Sequence, residues 1–211
     1  MMMTEHPLLL NDEMVRAVLD GRKTQTRRPM QTGILAHSEL TVEGSHGKWA
    51  HVGNNSGDRY PVKCPFGAPG GTLWVRETHY RWTGCGEPPE HFQRDRCYAD
   101  DPELSAMQRG ASLVTVPSIH MPRWASRITL VVRSVRVERV QDITPMDCKA
   151  EGTTGREAFG ALWDSIYAKR GLGWDVDPWV WVVEWEPSKS HASSFVPNAT
   201  TRQLGENHAD C

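Results

Sequence analysis

The sequence predicts a mainly β, α+β domain: a small, partly closed β-barrel decorated by short helices. Three observations predict it. The longest apolar stretches, Thr72–Thr78, Ser126–Val137 and Trp179–Trp185, are rich in β-branched and aromatic residues and alternate in the manner of strands. The helical faces are short, Met14 to Leu19 and Phe159 to Ile166. The remaining chain is punctuated by Gly, Pro, Ser and Asn, which mark turns.

The elements follow in order. Pro7–Leu10 reads as a strand or an extended entry. Asn11 or Asp12 caps a helix whose first turn carries Glu13, where the helix dipole favours an acid. Met14, Val15, Val18 and Leu19 recur at helical spacing, and Gly21 stops the helix. Pro29 limits any helical continuation. Residues 31–60 read as a loop or weak hairpin. Pro65 to Gly71 is strong turn punctuation, after which Leu73, Val75 and Glu77 share one face of a strand and Trp74 and Arg76 the other. Residues 80–117 are polar and without a sustained period, an insertion on the core fold. The stretch Ser126–Val137 is long enough to break or bend near Ser134. Thr144 and Pro145 start a short helix ending at Ala150. Phe159, Leu162, Trp163 and Ile166 form the next helical face, closed by Gly171, and Trp179 and Trp181 share a face of the final strand. One domain is expected over 7–187, with a disordered tail over 188–211.

Composition narrows the function. The chain has 211 residues, 38% apolar, with nine Trp and a formal charge of -2. A sizeable core is within reach. No apolar run is long enough to span a membrane, and the first residues are not a secretory leader, so a cytoplasmic location is expected. The five cysteines are Cys64, Cys85, Cys97, Cys148 and Cys211, with no C-x-x-C pair. Cys64, Cys85, Cys97 and His79 or His91 match no zinc spacing, so no metal is expected. The absence of a GxGxxG or Walker loop argues against nucleotide-triphosphate chemistry, and no cofactor is expected.

Against this near-neutral background, Gly21-Arg22-Lys23-Thr24-Gln25-Thr26-Arg27-Arg28 packs four cations and two hydroxyls into eight positions. Such a cluster suits an anionic ligand, a phosphate above all. Lys23 and Thr26 also place an amine three residues from a hydroxyl, a pair able to generate a nucleophile. A solvated helix end accounts for the charges equally well. Elsewhere, Glu77 is a carboxylate within reach of the same region, or a partner for an arginine on a neighbouring strand. His120 and Arg123 flank Pro122 in an irregular segment; Arg123 suits a phosphate, and Trp124 offers a stacking surface or a core ring. Arg133, Arg136 and Arg139 extend a basic track or decorate an edge.

Five segments together resemble the ASCH-domain family of the PUA-like superfamily, in the form encoded by tailed phages and prophages. They are the helix into Gly21–Arg28, Cys64-Pro65-Phe66-Gly67 leading into Leu73–Glu77, Ser118–Ser126, Ala150-Glu151-Gly152, and Trp179–Glu184. With the elements between them they span roughly half of the chain. The resemblance implies a β-barrel with a cleft beside the basic motif and binding of RNA or a modified nucleoside, with DNA as a further candidate. One branch of the family removes the acetyl group of N(4)-acetylcytidine. By that resemblance Lys23 assists Thr26 and Glu151 completes the catalytic set, while Arg22, Arg27, Arg28, Glu77, His120, Arg123 and Trp124 are candidates for substrate or nucleic-acid contact. Other members are ribonucleases or non-catalytic nucleic-acid-binding modules, and both remain open for this chain. For Lys23 to act as a base it must titrate about three pH units below its usual range, through burial or nearby cations. The expected layout sets Lys23 against Thr26, with Glu151 one shell further out, because a carboxylate in direct contact would hold the proton on the amine.

Overall fold

A computed structural model describes residues 5–30, 40–43, 49–53, 59–83, 96–98 and 113–187. The fold is mixed α+β. Its centre is a five-stranded sheet ordered β1-β6-β10-β11-β2, formed by β1 (Glu5–Leu9), β6 (Thr72–Arg76), β10 (Thr129–Arg139), β11 (Trp179–Pro187) and β2 (Gln25–Pro29). β1 and β6 run parallel, and the other neighbours are antiparallel. Two three-stranded sheets accompany it. One joins β3 (Leu40–Glu43), β4 (Trp49–Gly53) and β5 (Arg59–Val62); the other joins β7 (His79–Trp82), β8 (Arg96–Tyr98) and β9 (Leu113–Val116). The expected barrel does not close among the described residues: β1 and β2 remain the two edges of the central sheet.

Both faces of this sheet are covered, and that decides where charge is buried. Helix α1 (Asp12–Leu19) packs Val15 and Val18 against one face, with Leu73, Val75, Val135, Val137, Trp181 and Val183. The side chain of Asn11 accepts from the Met14 N–H at 2.8 Å and caps α1. The opposite face carries α2 (Pro145–Ala150) and α3 (Arg156–Tyr167), where Val180 and Val182 meet Phe159, Trp163 and Tyr167. Val180 to Val183 are all buried, as a strand covered on both faces requires. Thr144 caps α2 in a reciprocal box with Asp147, and Pro145 takes the first helical position, where its missing N–H does no harm.

Three sequence expectations change. The basic segment is not simply a solvated helix end past α1. From Gln25 it becomes the edge strand β2, paired with Val180–Glu184 of β11. Residues 40–62 contain a three-stranded sheet, more than a weak hairpin. The 80–117 insertion holds most of a second sheet, whose strand β7 begins at His79. Near Ser134, where a break or a bend was expected, the strand runs on unbroken and its pairing shifts register between Val132 and Ser134. Residues 188–211 lie outside the described residues. No helix among those described is long and apolar enough to cross a membrane.

Candidate active site

The site begins where α1 ends. Gly21 adopts φ 71°, and the next two amides, of Arg22 and Lys23, both donate to the Ala17 carbonyl at 2.8 and 2.9 Å. Lys23 then forms an isolated antiparallel bridge with Glu151 at the end of α2. The Thr24 amide donates to Ala150 at 2.8 Å, and the Thr24 carbonyl accepts from Trp185 at 3.0 Å. Backbone from α1, α2 and β11 therefore fixes the position of Lys23. Gly152 turns the chain beside this bridge at φ 82°, a conformation that glycine adopts without strain.

The Lys23 side chain is 1% exposed and that of Glu151 is 4% exposed. The Lys23 ammonium donates to Glu151 Oε2 at 2.7 Å and to the Glu151 carbonyl at 3.0 Å. Glu151 is thus in direct contact with the amine, and the layout expected from the sequence, with the carboxylate a shell away, is corrected. Burial pushes the Lys23 ammonium below its ordinary range; Glu151 opposes that fall, while Arg28 and Arg27 reinforce it.

Alternation along β2 separates the other residues of the motif. Thr26 is opposite Val183, on the face packed by α1, whereas Gln25 and Arg27 are opposite Glu184 and Val182, on the α2 face. Thr26 is buried. Among the described residues no hydrogen bond joins its hydroxyl to Lys23 or Glu151. Arg27 is fully buried and spreads its guanidinium over three carboxylates: Glu138 at 2.9 Å, Asp147 at 3.3 Å and Glu151 Oε1 at 3.6 Å. Arg28 is held by neutral oxygens, the Tyr167 hydroxyl at 3.2 Å and the Leu9 carbonyl. Arg22 is the exposed cation of the motif and pairs with Asp20 at 2.7 Å.

A network missed by the sequence reading surrounds Arg27. Arg136 donates to Glu138, Glu184 and, at 3.0 Å, Asp147. With the Gln25 amide assigned from its neighbours, its nitrogen donates to Asp147 at 3.0 Å and Glu184 at 3.2 Å, and its oxygen accepts from Arg27. Burial alone would raise the Asp147 carboxyl. The Thr144 hydroxyl and N–H, with Arg27 and Arg136, outweigh burial and hold it down at about 2. The alternation of Ser134, Arg136 and Glu138 with Val135 and Val137 along β10 was the available signal, since it marks a polar stripe on one face of that stretch.

The remaining candidates lie apart from the Lys23–Glu151 pair. Glu77 is buried and takes both arms of Arg127, at 3.0 and 2.9 Å, beside the start of β10; the Arg127 guanidinium lies 4.1 Å from the Tyr98 ring centre. Arg123 pairs with Glu5 at 2.7 and 3.0 Å and stands over the Trp74 ring. Trp124 is 52% exposed and is not a core ring, and His120 is also exposed. Arg133, Arg136 and Arg139 form no continuous basic track: Arg136 is enclosed by carboxylates, and Arg139 donates to the Asp177 carbonyl at 2.8 Å over the Trp179 ring. No group of three or more His, Cys, Asp or Glu among the described residues is placed to hold a metal; Cys85 and His91 fall outside them. Burial pushes the Cys64 thiol up to about 11, so it stays protonated.

No protein-family model, curated protein or solved structure matches the chain.

Proposed function

We propose that this chain is a PUA-like, ASCH-type protein of the cytoplasm that binds RNA or a modified nucleoside and hydrolyses an acyl amide on the exocyclic amine of a cytosine base. The observation that carries the reading is the buried Lys23–Glu151 pair at 2.7 Å, located within the motif by which the sequence resembles that family. In water an ammonium and a carboxylate stay ionised. In a buried pair both charges lose hydration, which narrows the gap to the neutral form in which the proton sits on the carboxylate. Transfer along this hydrogen bond leaves a free amine at Lys23 and a carboxylic acid at Glu151. The amine takes the Thr26 proton as the hydroxyl oxygen attacks the acyl carbon, and Glu151 returns its proton to the departing base amine. Water then cleaves the acyl-threonine by the same exchange, and the original pair is restored. The attack requires the Thr26 hydroxyl to come within hydrogen-bond reach of the amine. In the structure Thr26 lies on the α1 face of β2 while Lys23 meets Glu151 on the Arg27 side, so the reading requires this edge strand, paired on one side, to turn when substrate binds.

The test is loss of acetyl mass from N(4)-acetylcytidine, free and within a short RNA, without added metal. Turnover by the wild type, abolished in both Lys23→Ala and Thr26→Ala with the fold retained, is the expected result. Wild-type-like turnover in either variant removes the assignment. One observation favours a second reading, a non-catalytic nucleic-acid reader: the Trp124 ring is 52% exposed, and an exposed indole suits base stacking. Binding of single-stranded RNA or DNA that weakens steeply with salt, without turnover, supports that reading.

A further inference from the structure

Glu151 offers two carboxylate oxygens, and the structure treats them differently. Oε2 accepts from Lys23 at 2.7 Å. Oε1 is buried without a hydrogen bond and faces Arg27 Nη1 at 3.6 Å. A carboxylate free to turn would present either oxygen to the amine. The guanidinium that faces Oε1 is itself held in place, since its other arm is bound by Glu138 from β10 and Asp147 from α2. Asp147 and Glu151 are four residues apart, at the third position and at the C-cap of α2, so Arg27 meets carboxylates from both ends of that short helix. Its Nε is buried and has no partner, which is an unusual sacrifice for a group with five donors and points to a placement set by the carboxylates around it.

We propose that Arg27 is the positioning residue of the site, fixing the Glu151 carboxylate so that Oε2 alone meets the Lys23 amine. This rests on the proposed catalytic reading for its consequence in turnover but not for its geometry. The charged and titratable groups around the pair are Arg27 and Arg28 from β2, Asp147 and Cys148 from α2, and Glu138 from β10. Arg27 and Arg28 act on Lys23 in the same direction, favouring the neutral amine. Removing Arg27 both frees the carboxylate and strips one of those cations, so the amine keeps its proton to higher pH. A lysine in its place keeps a charge but lacks the planar fork that meets several carboxylates at once.

The experiment follows the Lys23 Nζ signal by NMR across a pH series in the wild type, Arg27→Lys and Arg27→Gln. Alongside it, kcat and KM are measured on N(4)-acetylcytidine. The expected order of Lys23 midpoints is wild type lowest, Arg27→Lys intermediate and Arg27→Gln highest. The rising limb of turnover moves with them, and kcat falls about tenfold or more while KM stays within about twofold. If Arg27→Gln does not fold, the comparison of wild type with Arg27→Lys decides. Coincident midpoints in folded proteins overturn the proposal, because a merely structural arginine would change thermal stability and leave them in place. If the wild type turns over no acylated nucleoside, the catalytic reading falls, and the midpoints still decide the role of Arg27.

Discussion

Replacing Lys23 by Met tests the buried pair most directly. Met matches the length and apolar stem of Lys23 but has no ammonium. The substitution removes two hydrogen bonds, at 2.7 Å to Glu151 Oε2 and at 3.0 Å to its carbonyl. Glu151 Oε1 already lacks a hydrogen bond, so the carboxylate is left with none, in a site where 4% of its side chain is exposed. Its nearest cation is then Arg27 at 3.6 Å. Breaking one half of such a pair costs about 3–5 kcal/mol, because an uncompensated charge stays buried. For a chain of this size each kcal/mol moves the midpoint of thermal unfolding by about 2–4 °C, giving a fall of roughly 6–20 °C. Replacing both partners, Lys23→Met with Glu151→Leu, removes the orphaned charge. The double variant is expected near wild-type stability, or above it by about 1–4 kcal/mol. Urea unfolding at neutral pH, read by circular dichroism, supplies the four free energies of the cycle, with an unchanged m value as the sign that only stability has moved. A loss below about 1 kcal/mol in Lys23→Met, with single effects that add to within about 0.5 kcal/mol, would mean that the amine is solvated and unpaired. The chemistry proposed for it would then have no basis.

Two further predictions concern the support of the site. The Asp147 carboxyl is held at about 2, below its ordinary 3.8. A depressed acid contributes stability that is fully present above the unfolded value and is lost as pH falls through the folded one, so stability should decline from about pH 5 towards pH 2. Thr144→Ala removes the hydroxyl that donates to Asp147 at 2.7 Å and caps α2. It should weaken the protein by about 1 kcal/mol at neutral pH and flatten that acid slope, as seen by urea midpoints at several pH values. Gly152→Ala should cost about 1–2 kcal/mol through backbone strain at φ 82°, since the added Cβ would lie at an ordinary 3.4 Å from Ala17 and Lys23. An unchanged midpoint in that variant would show that the turn next to Glu151 is not left-handed.

What was legible in the sequence followed from local rules. The Asn11 and Thr144 caps, the stop at Gly21, the irregularity by Ser134 and the alternation of β11 all depend on residues a few positions apart. β2 was not legible, because Arg22 to Arg28 contains no apolar residue and so gives no period-2 hydrophobic signal. Its strand conformation comes from β11, more than 150 residues further along. The polar network was hidden for the same reason: Arg27 and its partner Glu138 are 111 residues apart in the chain. Lys23, Glu151 and Thr26 could be picked out by resemblance, but composition alone places a lysine in water. Only the convergence of α1, α2 and β11 puts this one in the interior. Trp124 went the other way. A tryptophan between Arg123 and Ala125 reads as core, yet the short helical turn over Arg123–Ala125 buries Ala125 and leaves the ring outside.

The distribution of charge bears on which rival chemistry the site suits. A nuclease acting through a pentacovalent phosphate needs cations free to meet two or three anionic oxygens as charge builds. Here Lys23, Arg27 and Arg136 face Glu138, Asp147, Glu151 and Glu184, three positive groups against four negative ones. Their charge is already answered from within the fold, so a phosphate brought among them would meet at least as much repulsion as attraction. Arg28, held by neutral oxygens, adds one cation at the edge of the cluster. An acyl amide is neutral. It asks the site for a proton acceptor, a proton donor and a nucleophile, and a buried amine hydrogen-bonded to a carboxylate supplies the first two in one pair. Of the four cations that suggested a phosphate grip from sequence, Arg27 and Arg28 instead bear on the protonation of Lys23. Arg22, the exposed cation of the segment, is itself paired with Asp20 at 2.7 Å, where solvent screens the pair.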